Sequence, residues 1–478
     1  MSLKKQAFTG VIWTFGEMFG GQLINFFVNT ILARLLVPED FGLLGMIFVF
    51  ITLSNTLMDS GVTSSIMREQ NPKEEDFSTL FVSNVFFSVV IYIILFFVAP
   101  FIANFYDNQI ITDIIRVYGL TIIIQAFVQV QSVYLIKQLN FKKQTLMKLP
   151  SIVISSIIAI WIAYNGYGVW SLAWMYLSQN FFWALFHWLF GDWRPKTHFQ
   201  KKIFKKHFGY GYRMTLVELM NNISANIYQI VIGKFYNPTL VGYYTQSLTL
   251  RQVPVSNIYG AAIKVLFPAF AKIQDDREAM VRNFFRVQEI LLLILVPILV
   301  FLAYNAEDIL VVLFSEKWRG AKIFLQVVSI AGISNILSNW NLAILKIVGH
   351  AKQILHTEFV LKVSLFLLIV IAILLKNINY LLICIIVFSL LTYLIYNLKV
   401  CNVLNVSFGK SLRPIFSLLL LMILPLLATF SLDNIFSINN LFLSLSLNLL
   451  SFFGIYFILT SIFKGSIIKL LILLLRRK

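Results

Sequence analysis

The chain has 478 residues, 59% of them hydrophobic and only 13% charged, with a mean hydropathy of +0.82. Soluble domains run about 45–50% apolar and about a quarter charged, so no soluble interior of this size holds so much apolar surface. The net charge of +18 would suggest nucleic acid on a soluble chain. Here the lysines and arginines concentrate in alternate loops, which is how membrane proteins distribute them, and no nucleic-acid partner is expected. Strand barrels are excluded by period, because their segments are about ten residues long and alternate in polarity.

Apolar runs of about 20 residues, the length of a spanning helix, recur along the chain. In order they predict spans 1–14 at 11–34, 41–66, 78–103, 110–136, 146–164, 167–190, 209–234, 239–268, 283–304, 319–346, 354–375, 378–402, 411–432 and 438–463. The fold class is therefore an all-α membrane protein with about fourteen transmembrane helices. Lys4 and Lys5 precede span 1, but the stretch outruns a signal core and carries Glu17, Gln22 and Asn25. It reads as a retained span and not as a cleaved signal.

Orientation follows the basic residues. One set of loops holds Lys137, Lys142, Lys143 and Lys148, then Arg194 to Lys206, then Lys272 to Arg286, then Lys399, Lys410 and Arg413, and the tail adds Lys464, Lys469 and Arg476 to Lys478. The opposite loops 104–109 and 165–168 hold none; the loop near 305–319 is the exception, with Lys317 and Arg319 beside Glu307, Asp308 and Glu316. Both termini are expected in the cytoplasm. Trp161, Tyr164, Tyr167 and Trp170 bracket one outer turn, as interfacial aromatics do. The segment QKKIFKKHF, 200–208, sorts apolar residues from lysines on a helix. It is expected on the cytoplasmic leaflet near anionic membrane lipid, or else as a solvated basic loop. The run Ile467–Leu475 is too short to span and is expected at the interface.

The chain repeats itself. Span 1 ends in ILARLLVPEDFG and span 7 in IVIGKFYNPTLVG, so that Arg34 registers with Lys234, Pro38 with Pro238 and Gly42 with Gly242. Further on, Gln125 registers with Asn335, Gln129 with Asn339 and Lys142 with Lys352. Six helices per copy leave both copies in the same orientation, which makes a parallel repeat about an axis along the membrane normal. The expected organisation is a six-helix lobe at 1–190, a basic cytoplasmic linker at 191–208, a second six-helix lobe at 209–402, and spans 13 and 14 with a basic tail at 403–478.

Polar residues within spans are costly and normally face a bundle interior or a wet cavity. Span 1 carries Glu17, Gln22, Asn25 and Asn29; span 4 Gln125, Gln129 and Ser132; span 7 Glu218, Asn221, Asn222, Asn226 and Gln229; span 10 Asn335, Ser338, Asn339 and Lys346. These are corresponding helices of the two copies, so the stripes are expected to line one cavity, although single amides also serve as interhelical glue. Arg251 lies mid-span in span 8, beside Gln252 and three residues before Pro254. A guanidinium there calls for an anion, and it matches phosphate in bidentate fashion; a salt bridge to Glu218 or Asp59 is the alternative. Glu17, Asp59 and Glu218 are candidates for coupling to a proton or sodium gradient, with structural pairing the alternative for each.

No enzymatic constellation stands out. There is no P-loop, and Cys384 and Cys401 read as apolar fillers. The five histidines show no metal spacing and are expected at interfaces or in solvent. No cofactor is expected.

The stretches VNTILARLLVPEDFGLLGM and LMDSGVTSSIMRE, with IKVLFPAFAKIQDD and AEDILVVLFSEKW in the second half, resemble the polysaccharide flippases of the MOP superfamily. The resemblance is to the Wzx-like branch of colanic-acid and teichuronic-acid exporters, and it covers nearly the whole chain. It implies a transporter in a bacterial plasma membrane, not an enzyme. The implied task is to carry undecaprenyl-diphosphate-linked oligosaccharide from the cytoplasmic to the outer leaflet by alternating access, with a polymerase and glycosyltransferases as partners. Relatives that flip lipid II place several arginines in the cavity; here Arg251 alone sits at mid-depth, and span 1 offers Glu17. Two rivals stand beside this reading. A small-cation or drug antiporter of the same superfamily would show a compact carboxylate site. A membrane oligosaccharide polymerase or ligase would need a large outer loop, and the longest here is about 14 residues.

Overall fold

The computed structural model describes residues 3–59, 61–435 and 440–463, and every regular element among them is helical. The helices are α1 (Leu3–Leu35), α2 (Pro38–Asp59), α3 (Val62–Arg68), α4 (Glu74–Phe105), α5 (Ile110–Lys137), α6 (Phe141–Tyr164), α7 (Val169–Phe190), α8 (Lys201–Phe235), α9 (Pro238–Ala271), α10 (Arg277–Tyr304), α11 (Ala306–Phe314), α12 (Lys322–Ile347), α13 (Ala351–Leu374), α14 (Ile378–Leu404), α15 (Phe408–Ile435) and α16 (Leu441–Phe463), with a 3-10 turn at Glu316–Ala321. Among the described residues, eleven helices combine the length and apolarity needed to cross a bilayer. The long helices α1, α7 and α8, which also overlap predicted spans, are not in that set. In α1 and α8 the polar stripes lower the mean hydropathy without shortening the helix. The basic tail from Lys464 and the run Ile467–Leu475 lie outside the described residues.

Helix starts follow local chemistry. α2 opens with Pro38, and Asp40 Oδ2 accepts the Val37 N–H at 3.1 Å. α9 opens with Pro238, and Asn237 Oδ1 accepts the Leu240 N–H at 2.9 Å. Proline at the first helical position forfeits no hydrogen bond. One turn on, the two helices cross backbone to backbone. A Cβ on Gly42 would stand 1.7 Å from Pro238 O, and one on Gly242 would stand 1.9 Å from Pro38 O. The approach is reciprocal, so residues that register in the sequence repeat meet one another.

Three stretches depart from expectation. Span 2 is broken: α2 ends at Asp59, and Gly61, at φ +66°, turns the chain into α3. A Cβ on Gly61 would stand 2.2 Å from Gly211 O of α8, so close packing adds to the backbone demand for glycine. The basic segment 200–208 is not a solvated loop, because α8 runs unbroken from Lys201. It docks on α4, where Phe204 and Phe208 lie 6.0 and 6.5 Å from the Phe87 ring. Lys201, Lys202 and Lys205 stay exposed. The charged loop near 305–319 folds into α11 and the 3-10 turn over buried Phe314 and Trp318, and its charges pair locally through Arg319–Glu316 and Lys322–Glu307.

The histidine expectation fails at two positions. His207 is buried, with Nδ1 2.7 Å from Ser65 Oγ and Nε2 3.0 Å from Asp76 Oδ1. His187 is also buried, with Nδ1 2.9 Å from Trp183 O. Both rings are placed by helix packing that a linear reading does not contain.

Packing divides the chain into two compact units between Thr245 and Gln246. In the first, Phe77, Phe81, Val130, Val133 and Trp193 form a core cluster. In the second, Trp340 of α12 stacks on Phe284 at 6.1 Å and meets Phe270 edge-on at 5.2 Å, with Tyr396 and Val400 of α14 in the same cluster. This core holds α12 firmly beside α9.

Candidate functional site

In the second unit, α9 and α12 enclose a cavity of about 290 Å³. α9 contributes Arg251, Gln252, Ser256 and Tyr259; α12 contributes Asn335 and Asn339. The spacing explains the convergence, because residues three or four apart share a helix face. Gln252, Ser256 and Tyr259 run along one face of α9 in this way, as Asn335 and Asn339 do on α12. Arg251 Nη2 donates to Gln252 Oε1 at 3.2 Å. Two glycines, Gly260 and Gly332, complete the wall. The cavity thus offers a cation, amides of both polarities, a hydroxyl and an aromatic ring, a set suited to an anionic group joined to a polyhydroxylated one.

Of the residues singled out in the sequence, Arg251, Asn335 and Asn339 meet here. Sequence reasoning missed Ser256, Tyr259, Gly260 and Gly332. The signal for two of them was present: Ser256 and Tyr259 continue the helical spacing of Gln252.

The first unit uses its amides differently. Gln129 Nε2 donates to Asp59 Oδ1 and to Thr63 Oγ1, both at 2.8 Å. Asp59 Oδ1 also accepts from Thr63 N at 3.2 Å and Thr63 Oγ1 at 2.6 Å. That carboxylate therefore ties α2 to α3 across the Gly61 break and ties both to α5. Asn222 Nδ2 donates to Thr56 Oγ1 at 2.9 Å, joining α8 to α2, and Asn226 Nδ2 donates to Asn222 O at 2.8 Å. Gln229 is buried, with Nε2 3.4 Å from Thr245 Oγ1. Gln125 and Asn29 are half-buried, and Asn25 and Glu218 are exposed. Glu17 pairs with Lys148 at 3.2 Å. Both cysteines are buried.

The profile of a family described as polysaccharide biosynthesis protein matches residues 31–323, more than half of the chain. The chain belongs to that family. The teichuronic acid biosynthesis protein TuaB of Bacillus subtilis is 24% identical over 73% of this chain and 73% of its own. The lipopolysaccharide biosynthesis protein WzxC of Escherichia coli is 25% identical over 71% of this chain and 69% of its own. The succinoglycan biosynthesis transport protein ExoT of Rhizobium meliloti is 25% identical over 62% and 60%. Among solved structures, the lipid II flippase MurJ in an inward closed conformation superposes with a TM-score of 0.74 at 15% identity, covering 96% of this chain and 100% of that one. An inward-facing multidrug resistance MATE transporter of the MOP superfamily gives 0.60 at 15% identity, over 80% and 95%. The fold is that of the MOP superfamily. This polysaccharide biosynthesis protein is a multi-pass membrane protein.

Proposed function

We propose that this chain carries an undecaprenyl-diphosphate-linked oligosaccharide from the cytoplasmic to the outer leaflet of a bacterial plasma membrane, by alternating access. The observation that carries the reading is the α9–α12 cavity, in which Arg251 stands with Gln252, Ser256, Tyr259, Asn335 and Asn339. Sugar hydroxyls and phosphates do not shed water into hydrocarbon cheaply, so a head group needs a polar path while its isoprenoid tail stays in lipid. Arg251 neutralises the diphosphate, and the amides and Tyr259 receive the sugar. The names of TuaB, WzxC and ExoT, which speak of polysaccharide synthesis and in one case of transport, support this cargo over a small drug cation.

Outward movement of an anion is aided by an interior-negative potential, at about 2.3 kcal/mol per charge per 100 mV. Both termini lie in the cytoplasm in this reading. Glycosyltransferases on the inner face supply the substrate, and a polymerase on the outer face consumes it. A proton or sodium gradient acts through Glu218, since Glu17 is engaged by Lys148 and Asp59 by Gln129 and Thr63.

Reconstitution tests the proposal. Purified protein in liposomes is expected to flip a fluorescent polyprenyl-diphosphate-linked glycan. Arg251→Ala should slow this at least about tenfold, with Arg251→Lys intermediate because it keeps charge but loses the bidentate fork. Undiminished flipping by Arg251→Ala would reject the site.

A further inference from the structure

We infer that Gly332 is a positioning residue for the anionic group of the cargo, acting through Arg251. The inference rests on the reading of Arg251 as the phosphate ligand. Gly332 lies on the cavity wall of α12, at the level where the arginine stem crosses. A Cβ placed there would stand 3.1 Å from Arg251 Cδ and 3.6 Å from its Cγ, with Leu299 Cδ1 of α10 at 3.2 Å. The stem therefore lies flat in a notch that exists because residue 332 has no side chain. From that notch the guanidinium shares the cavity with Asn335 and Asn339, one and two turns further along α12. A methyl at 332 presses the stem aside by a few tenths of an ångström, and a branched side chain lifts it further, with Leu299 crowding the other flank.

Gly332 is mid-helix and has no positive φ. Glycine there weakens the helix relative to alanine, and no turn requires it. Gly260, on the opposite wall, makes the contrast: a Cβ there meets nothing within 4 Å. Space for Arg251 is thus particular to Gly332. A guanidinium displaced by even an ångström loses the paired geometry that phosphate recognition uses.

The test uses the full chain in liposomes with the fluorescent polyprenyl-diphosphate-linked glycan, beside melting curves in detergent. Gly332→Ala is compared with Gly454→Ala, at a helical glycine of α16 whose added Cβ, unlike that at Gly332, meets nothing within 4 Å. Alanine favours a helix over glycine, so Gly454→Ala should melt at or above the parent temperature, and in Gly332→Ala that gain offsets the slight crowding of Arg251 and Leu299, leaving it near the parent. Only Gly332→Ala should flip more slowly. Gly332→Val should flip about tenfold more slowly or worse. Combined with Arg251→Ala, it should add less than about twofold, because both act through one group. Independent, multiplicative losses in the double variant would overturn the inference, as would melting and flipping that fall together in Gly332→Ala. Parent-like flipping by both Gly332 variants beside a slow Arg251→Ala would overturn it while sparing the phosphate reading. A fast Arg251→Ala would remove the reading itself. Should the valine variant fail to fold, the alanine variant carries the test.

Discussion

Glu307, in the first turn of α11, receives Lys322 Nζ at 2.8 Å and Arg319 Nε at 3.3 Å. The hydrogen bond from Lys322 holds its carboxyl below the ordinary 4.5. A carboxylate with a lowered pKa stabilises the fold fully above its ordinary value, and that contribution is lost as pH falls through the lowered one. Glu307→Gln should therefore melt slightly below the parent at pH 7. The difference should correspond to a few tenths of a kcal/mol, about what a solvent-screened pair contributes. The gap should close near pH 3. Calorimetry in detergent decides it, and a gap of equal size at both pH values defeats the assignment. Single residues differ in how openly they show such roles. Arg251, Asn335 and Asn339 stand out in sequence because polar groups are expensive within spans. Gly332 does not, because glycine is ordinary in membrane helices and its meaning lies in a stem that crosses it from another helix. Glu17 reads alone in sequence, yet its partner Lys148 is on α6.

At the scale of elements, the crossing of α2 and α9 makes the strongest demand. Alanine at Gly42 or Gly242 places a methyl carbon within 2 Å of a carbonyl oxygen on the other helix, 1.7 Å in one case and 1.9 Å in the other. The only relief is to part the helices. Each single substitution should cost about 1–3 kcal/mol, as overpacking does. The double variant should cost clearly less than the sum, because the first methyl has already opened the gap the second needs. Melting temperatures of the three variants in detergent measure this, and strict additivity would show that the two glycines do not share one contact. The twin turns were legible beforehand through their common register, as were the long helices through their apolar runs. The break at Gly61 was not, because one glycine in an apolar run carries no period. The early start of α8 was hidden as well: its lysines suggest a surface loop, while Phe204 and Phe208 find their partner Phe87 in α4.

For the whole molecule, the number of crossings is the consequential quantity, and it turns on α1, α7 and α8, the long helices that are not among the eleven most apolar ones. Their polarity has a physical reading. A helix that turns amides toward a protein interior crosses a bilayer at lower mean hydropathy than one facing lipid on all sides. The prediction that follows concerns sidedness. Asn165 and Asn377 lie exposed in connections expected outside, and Gln138 and Asp275 lie exposed in connections expected inside. Cys384 and Cys401 are both buried, so single cysteines placed at these four positions report against a quiet background. A membrane-impermeant thiol reagent added to intact cells should label Asn165→Cys and Asn377→Cys, and should reach Gln138→Cys and Asp275→Cys only after the membrane is opened. The pair Asn165 and Asp275 is the discriminating one. Three helices, α7, α8 and α9, separate them, and an odd number of crossings puts them on opposite faces. If either α7 or α8 alone failed to cross, both positions would label from the same side, and the parallel arrangement of the two repeats would fail with it.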